Sequence, residues 1–320
     1  MTYLSPLGYL LGVEGAALLR GTREGFGDRA FVEARIAEIR ALLDDPELAA
    51  AGGVTAAVGG VSVGEMYRDW AASYDRPNTL IDIEEPAVRR ILDRLPIGDA
   101  LDAACGTGRH AAYLVGLGHR VSGFDGSPEM LAVARERLPD AALHVADLCD
   151  PIALPTDSVD LVVCGLALSY VPDLAPVFAE FARVLRPGGH LVVSDAHQIL
   201  SYLRPTLARD ATDGGGKGIV AEHHRPLSEY INTALPLGFE VRGCEEVHRG
   251  GAPGTITAAE LRADAAEAEA EAAAAIAAGH APPPIEVSWD LLLRCPEAGA
   301  LALDVPSLVV WHFQLGAGRG

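Results

Sequence analysis

Apolar residues recur along this chain in two rhythms. One is the helical spacing of about 3.6 residues; the other is short unbroken runs between turn residues. The first rhythm rules the N-terminus. Leu4 to Leu19 is rich in apolar residues but holds Glu14 and lacks a basic leader, so it reads as a helix and not a signal peptide. Ser5-Pro6 predicts its start, a hydroxyl cap with proline at the first helical position. After Asp28, Val32, Ile36, Ile39 and Leu43 recur at helical spacing with Glu33, Arg35, Glu38 and Arg40 between them. Such helices cannot stand alone, so their apolar faces must pack on a core or on a partner chain; a homodimer is one way to satisfy them. Ala51–Gly64 is rich in glycine and alanine and reads as a linker.

From about residue 64 to 250 the two rhythms alternate, which predicts a parallel sheet with crossover helices. The expected strands are Leu101–Ala104, Arg120–Asp125, Ala142–Ala146, Leu161–Cys164, His190–Ser194 and Glu240–Val247, with Ser307–Leu315 as the last. The expected helices are Gly108–Leu117, Pro128–Leu138, Leu174–Val184 and Leu227–Leu235. Residues 251–306 interrupt the pattern. Thr257–Ala278 is almost all alanine and glutamate, and Pro282-Pro283-Pro284 then forces an extended stretch. An inserted helical lid and a solvated helix both satisfy that composition. The division is therefore 1–63 helical extension, 64–250 α/β core, 251–306 inserted lid, and 307–320 last strand and tail.

Composition narrows the partners. Lysine and arginine number 25 against 44 acids, a net charge of −19, and Lys217 is the one lysine. So acidic a chain repels phosphate backbones and anionic membrane surfaces, which argues against nucleic acid and membrane partners and for a small-molecule ligand. Five cysteines without a CxxC pair indicate neither a disulfide framework nor a zinc site. His223 and His224 are adjacent and diverge, and Asp195-x-His197 offers two ligands at most, so no metal is expected. With no run of about 18 apolar residues, the expected location is cytoplasmic.

The densest chemical signal is Leu101-Asp102-Ala103-Ala104-Cys105-Gly106-Thr107-Gly108-Arg109-His110. A strand runs into a glycine turn that opens a helix, where the backbone can approach a ligand and free amides favour polar groups. Seventeen residues past Gly108, the next strand ends in Asp125, placed to accept hydrogen bonds from ribose hydroxyls. Taken alone, Gly106-x-Gly108-x-x-Ala111 also satisfies a loose dinucleotide fingerprint.

Four further motifs separate these readings. They are Asp125-Gly126-Ser127-Pro128-Glu129-Met130, Ala146-Asp147-Leu148, Asp160-Leu161-Val162-Val163-Cys164 and Leu185-Arg186-Pro187-Gly188-Gly189-His190-Leu191. With the first loop, they resemble the class I S-adenosylmethionine-dependent methyltransferases. Upstream, Tyr67, Trp70 and Tyr74-Asp75 resemble the aromatic helix before the first strand of many of these enzymes. The resemblance covers roughly 64–250 plus the last strand, and implies a Rossmann-like α/β sheet with an N-terminal helical extension and an inserted helical cap before the last strand. It also implies roles. S-adenosylmethionine would be the cofactor and S-adenosylhomocysteine the product. Backbone from Asp102, Ala103 and Ala104 through Gly106, Thr107 and Gly108 would cradle the methionine portion. Asp125, with Gly126 and Ser127, would hold the ribose, and Met130 would pack on adenine, although its spacing from Val133 and Ala134 also suits plain core. Asp147 and the Leu148 amide would read the adenine edge, the Cys164 carbonyl would face the sulfonium, and Tyr67 and Tyr74 would close the site.

Methyl transfer from a sulfonium mainly needs alignment and exclusion of water, and needs a base only where the nucleophile must lose a proton. Candidates at strand carboxyl ends are Tyr170, Asp195 with His197, and His224 in His-Arg-Pro-Leu-x-x-Tyr; each also has a structural reading. In length and layout the chain is similar to actinobacterial tailoring methyltransferases of specialised metabolism, including those that methylate indole C3 of tryptophan-derived cyclodipeptides. An O- or N-methyltransferase of another small molecule, a binding module without catalysis and a nicotinamide oxidoreductase are the rival expectations.

Overall fold

Along the central strands, alternate side chains must find opposite cores, and they do. The sheet has seven strands, β1 (Asp99–Ala103), β2 (Arg120–Asp125), β3 (Ala142–Val145), β4 (Val159–Gly165), β5 (Leu185–Ala196), β6 (Phe239–His248) and β7 (Pro306–Leu315), ordered β6-β7-β5-β4-β1-β2-β3. Leu101, Val162, Cys164, Leu191, Val193, Val309, Trp311 and Phe313 share one core, with Phe178 and Phe181. Ala100, Leu161, Val163, Val192, Leu308 and Val310 share the other, with Val88 and Leu92. Burial of both faces explains why these strands read as unbroken apolar runs. The computed structural model describes residues 1–75, 79–211, 215–250, 252, 257–259, 261 and 286–318.

β1 pairs in parallel with β2 and β4, β2 with β3, and β4 with β5. β7 runs antiparallel to β5, from Leu308 opposite Ala196 to Gln314 opposite His190. The helices of this unit are α1 (Val63–Trp70), α2 (Thr79–Leu92), α3 (Arg109–Leu117), α4 (Pro128–Arg137), α5 (Leu174–Val184) and α6 (Leu227–Ala234). A capping box starts α1: Glu65 N donates to Ser62 Oγ at 3.2 Å and Ser62 N to Glu65 Oε2 at 2.8 Å.

The chain divides into two units: this α/β unit (Ser62–Ser201, Ala221–Val247, Pro306–Gly320), and a helical one (Met1–Val61, Tyr202–Val220, His248–Val305). That division corrects the sequence reading twice. Residues 202–220, assigned to the core, fall in the helical unit. The supposed linker Ala51–Gly64 contains a strand, Val54–Val58, paired antiparallel with Thr2–Leu4 and parallel with Lys217–Ile219. Its partners lie far away in sequence, so no local pattern announces it.

Within the helical unit, Ser5 caps the helix Pro6–Glu24 as expected, and Asp28 caps the helix Arg29–Asp44, each accepting a backbone amide. The second helix turns a different stripe inward. Arg35 and Leu42 are buried, whereas Ile36 and Leu43 are 38% and 53% exposed. Arg35 is drawn in by the buried Glu14, 3.1 Å away. Most of Thr257–Ala278, and all of Pro282-Pro283-Pro284, lie outside the described residues. The later part of the insertion forms the helix Pro296–Leu303, where the Leu301 carbonyl accepts from Arg20. No helix among the described residues is long and apolar enough to cross a membrane.

Candidate active site

β1 and β4 are neighbours, yet the chain leaves them toward opposite edges of the sheet. At such a switch point the carboxyl ends of the strands open a crevice that binds ligands. The loop after β1 borders it. Ala104 has φ +54°, a left-handed conformation that costs an L-residue about 1–2 kcal/mol. Gly108 has φ +78°, which glycine adopts without strain, and a Cβ there would also press on Ala134 Cβ at 3.2 Å. The loop is pinned by Cys105 N donating to Phe124 O at 2.9 Å and Gly108 N to Cys105 O at 2.8 Å.

Asp102 and Ala103 are buried beneath the loop, and Asp102 Oδ2 accepts the Ala111 amide at 2.8 Å. Burial pushes the Asp102 carboxyl up to about 6 against the lowering influence of His110 and Arg109. It braces the start of α3 from below. Thr107 is committed sideways, donating from its hydroxyl to Asp75 Oδ1 at 2.8 Å, while Arg137 holds both the Thr107 carbonyl and Asp75.

Asp125 is the carboxylate that remains partly open. Oδ2 accepts the Gly106 amide and Oδ1 the Ser127 amide, both at 2.8 Å. Each oxygen keeps a second lone pair. Burial raises its pKa against those two amides, so the ionised form gains from further donors, as the two hydroxyls of a ribose would be. Gly126 is exposed beside it, and Ser127 caps α4 by accepting the Met130 amide. Met130 is buried, its Cε 3.5 Å from where a Gly106 Cβ would stand, so it floors the loop. Asp147 is exposed and turns the chain after β3, accepting the Cys149 amide at 2.8 Å, while Leu148 packs on the first core. Cys164 is fully buried and its thiol pushed far up by that burial, so only its backbone is available.

Four aromatic rings gather in the same unit. Tyr67 lies 6.0 Å from Trp70, 6.1 Å from Tyr74 and 5.9 Å from Tyr170, centroid to centroid. Burial raises the Tyr67 phenol, with Tyr170, Tyr74 and Asp125 adding to it. Tyr170 sits on a turn where Ser169 O accepts the His223 amide at 2.7 Å, which brings the His223-His224 segment to that wall. His224 is exposed on this segment. His197 is buried and has both ring nitrogens engaged, Nδ1 with the Ile199 amide and Nε2 with Glu246 at 2.8 Å. Asp195 is buried against Tyr230, whose hydroxyl donates to it at 2.7 Å.

Two groups escaped the sequence reading. Arg225 is buried and donates to the carbonyls of Leu168 and Val171, bracketing Tyr170 on both sides. An arginine between a histidine and a proline gave that signal weakly. Glu84 gave none, because Ile83-Glu84-Glu85-Pro86 reads as a solvated helix. It is fully buried, with Arg109 Nη1 2.5 Å from Oε2, and His110 Nε2 at 3.0 Å and Ser194 Oγ at 2.5 Å from Oε1.

Residues 101–193 match the methyltransferase domain family. Over 148 residues the chain is 34% identical to a demethylmenaquinone methyltransferase of Listeria welshimeri, covering 42% of this chain and 63% of that protein. It is 39% identical over 112 residues to a trans-aconitate 2-methyltransferase of Azoarcus sp., covering 33% of this chain and 44% of that protein. The chain thus spans less than two thirds of the curated relatives it matches. Among solved structures it is similar to the [4+2]-cyclase SpnF (18% identity, TM-score 0.51, 83% of this chain and 99% of that one). It is also similar to an S-adenosylmethionine-dependent methyltransferase of Mesorhizobium loti (27% identity, TM-score 0.47, 72% and 97%).

Proposed function

We propose, from the match of residues 101–193 to the methyltransferase domain family, that the α/β unit binds S-adenosylmethionine and that the chain transfers its methyl group to a small organic acceptor. The observation that carries this reading is Asp125, a half-open carboxylate held by two amides at the carboxyl end of β2, beside a left-handed glycine loop. Bound S-adenosylmethionine supplies an electrophilic methyl group on a good leaving group. The chain's own residues then have three tasks: Asp125 binds and orients, the Ala104–Gly108 backbone shapes the floor, and the aromatic rings exclude water so that nucleophile, methyl and sulfur stand in line. Asp125→Ala removes two charge-assisted hydrogen bonds, worth about 1.5–3 kcal/mol each, so S-adenosylhomocysteine should bind at least about tenfold more weakly by calorimetry. Unchanged affinity would falsify the assignment.

A small acceptor is supported by the −19 net charge, which disfavours polyanions, and by the small-molecule substrates in the relatives' names. A planar acceptor is supported by the rings of Tyr67, Trp70, Tyr74 and Tyr170, which offer stacking faces. For an indole, attack by C3 builds positive charge on the ring nitrogen, and a neutral imidazole relieves it by taking the N–H proton. His224 is first choice for that base, since its segment runs along the Tyr170 turn; His197 already has both nitrogens engaged. His224→Gln should lower turnover of the true acceptor by about 10²-fold with S-adenosylhomocysteine binding preserved; near-normal turnover would leave alignment as the source of catalysis. Since a cyclase shares this fold, the reading also requires release of S-adenosylhomocysteine with label in the acceptor.

A further inference from the structure

Glu84 is a fully buried carboxylate at the crevice with three side-chain partners. It projects from α2 and reaches the first two residues of α3, Arg109 and His110, and Ser194 on β5. Gly165, at the end of β4 opposite Ser194, has no side chain where one would collide: a Cβ there would stand 2.9 Å from His110 Nε2 and 3.1 Å from Glu84 Oε1. One carboxylate therefore ties together a helix start, the end of one strand and a second helix, with the end of β4 packed close beside it. Burial alone would raise its pKa, but His110 and Arg109, by charge and by hydrogen bonding, hold it well below the usual carboxylate range.

We propose that Glu84 is a positioning residue for the cofactor: it fixes Arg109 and His110, and through them the start of α3, so that the Ala104–Gly108 loop is held in its left-handed course before any ligand arrives. The proposal rests on the cofactor reading above. Three features carry it. The loop has two left-handed glycines, which adopt that course freely, and a left-handed alanine, Ala104, which does not and must be held there by its surroundings. Its downstream anchor is α3, whose first residue, Arg109, follows Gly108 directly and is bound by Glu84. Gly108 offers no side chain to cap that helix, so its start is held from outside, by Asp102 at the Ala111 amide and by Glu84 at Arg109 and His110.

The test is calorimetry of S-adenosylhomocysteine binding to Glu84→Gln, alongside hydrogen exchange of the amides from Cys105 to Ala111 in ligand-free protein. Glutamine keeps the shape and loses the charge that holds Arg109. We expect the dissociation constant to rise about tenfold or more and exchange of those amides to quicken, with the melting temperature of folded protein lowered as well. Ser194→Ala, which leaves the Arg109 pair intact, should move both readouts in the same direction by about two- to threefold, and serves if Glu84→Gln does not fold. A lower melting temperature with unchanged affinity and unchanged loop exchange would overturn the proposal and make Glu84 a structural brace. Failure of the wild-type protein to bind either S-adenosylmethionine or S-adenosylhomocysteine would instead overturn the cofactor reading, and the loop-exchange comparison would still decide the role of Glu84 in holding the loop.

Discussion

Glu84 in the α/β unit and Glu14 in the helical unit are both fully buried, and both face an arginine, yet burial leaves them in opposite states. Glu84 receives two basic side chains and a hydroxyl, and its carboxyl is held low despite its burial. Glu14 shares its one arginine with Glu38, which lies closer to Arg35 at 2.7 Å, so desolvation wins and pushes Glu14 up to about 7. Burial sets the size of the penalty; the number of donors that belong to one carboxylate decides which way it titrates. The fully satisfied acid stands at the candidate active site, and the shared one stands among packed helices.

The largest expected effect tests the satisfied side. Glu84→Ala leaves Arg109 buried without its main partner and should destabilise the α/β unit by about 3–5 kcal/mol, read as a lower urea midpoint. A loss below about 1 kcal/mol would mean that water or another group replaces the carboxylate. Arg35→Met makes the equivalent deletion in the helical unit and should cost less, under about 2 kcal/mol at pH 6, because Glu14 can take up a proton and stay buried as a neutral acid. Equal costs would erase the contrast.

The smallest effect is a matter of pH. Glu14 has a folded-state pKa of about 7 against an ordinary value of 4.5, so between these limits the folded protein binds more protons than the unfolded one. Its contribution to stability is therefore present below about pH 4.5 and is lost as pH rises through 7. Wild type and Glu14→Gln should melt alike near pH 5, and wild type should fall below the variant by pH 8. Glu84, whose pKa is lowered, works in the opposite direction: its stabilisation is present above the ordinary carboxylate range and is lost on acidification. A melting difference between wild type and Glu14→Gln that does not change across pH 5–8 would show that Glu14 is already ionised throughout.

Elements whose cores lie on both faces were legible in the sequence. Leu174–Val184 forms a helix at the predicted limits, and Arg120–Asp125 a strand, because periodicity and turn residues agree there. The Asp102–Gly108 loop and Asp125 were legible for a related reason: glycine at a left-handed turn and a carboxylate at a strand end are dictated by backbone geometry within a few residues. Where the reading went astray, the deciding partner was remote. Val54–Val58 looks like a linker until Thr2–Leu4 and Lys217–Ile219 lie beside it.

The same boundary separates what the chain's sequence determined alone from what only its tertiary structure decided. Local pattern was enough for the sheet's central strands, the Ala104–Gly108 loop and the placing of Asp125 at a strand end, since each depends on spacing or on conformational freedom. The inward turn of Arg35, the bracketing of Tyr170 by Arg225, the engagement of both His197 nitrogens and the burial of Glu84 were settled by tertiary structure. Each of these is a polar group whose burial is tolerable only once a partner from another segment reaches it, and a side chain's partners are fixed by where the fold places them, not by its neighbours along the chain.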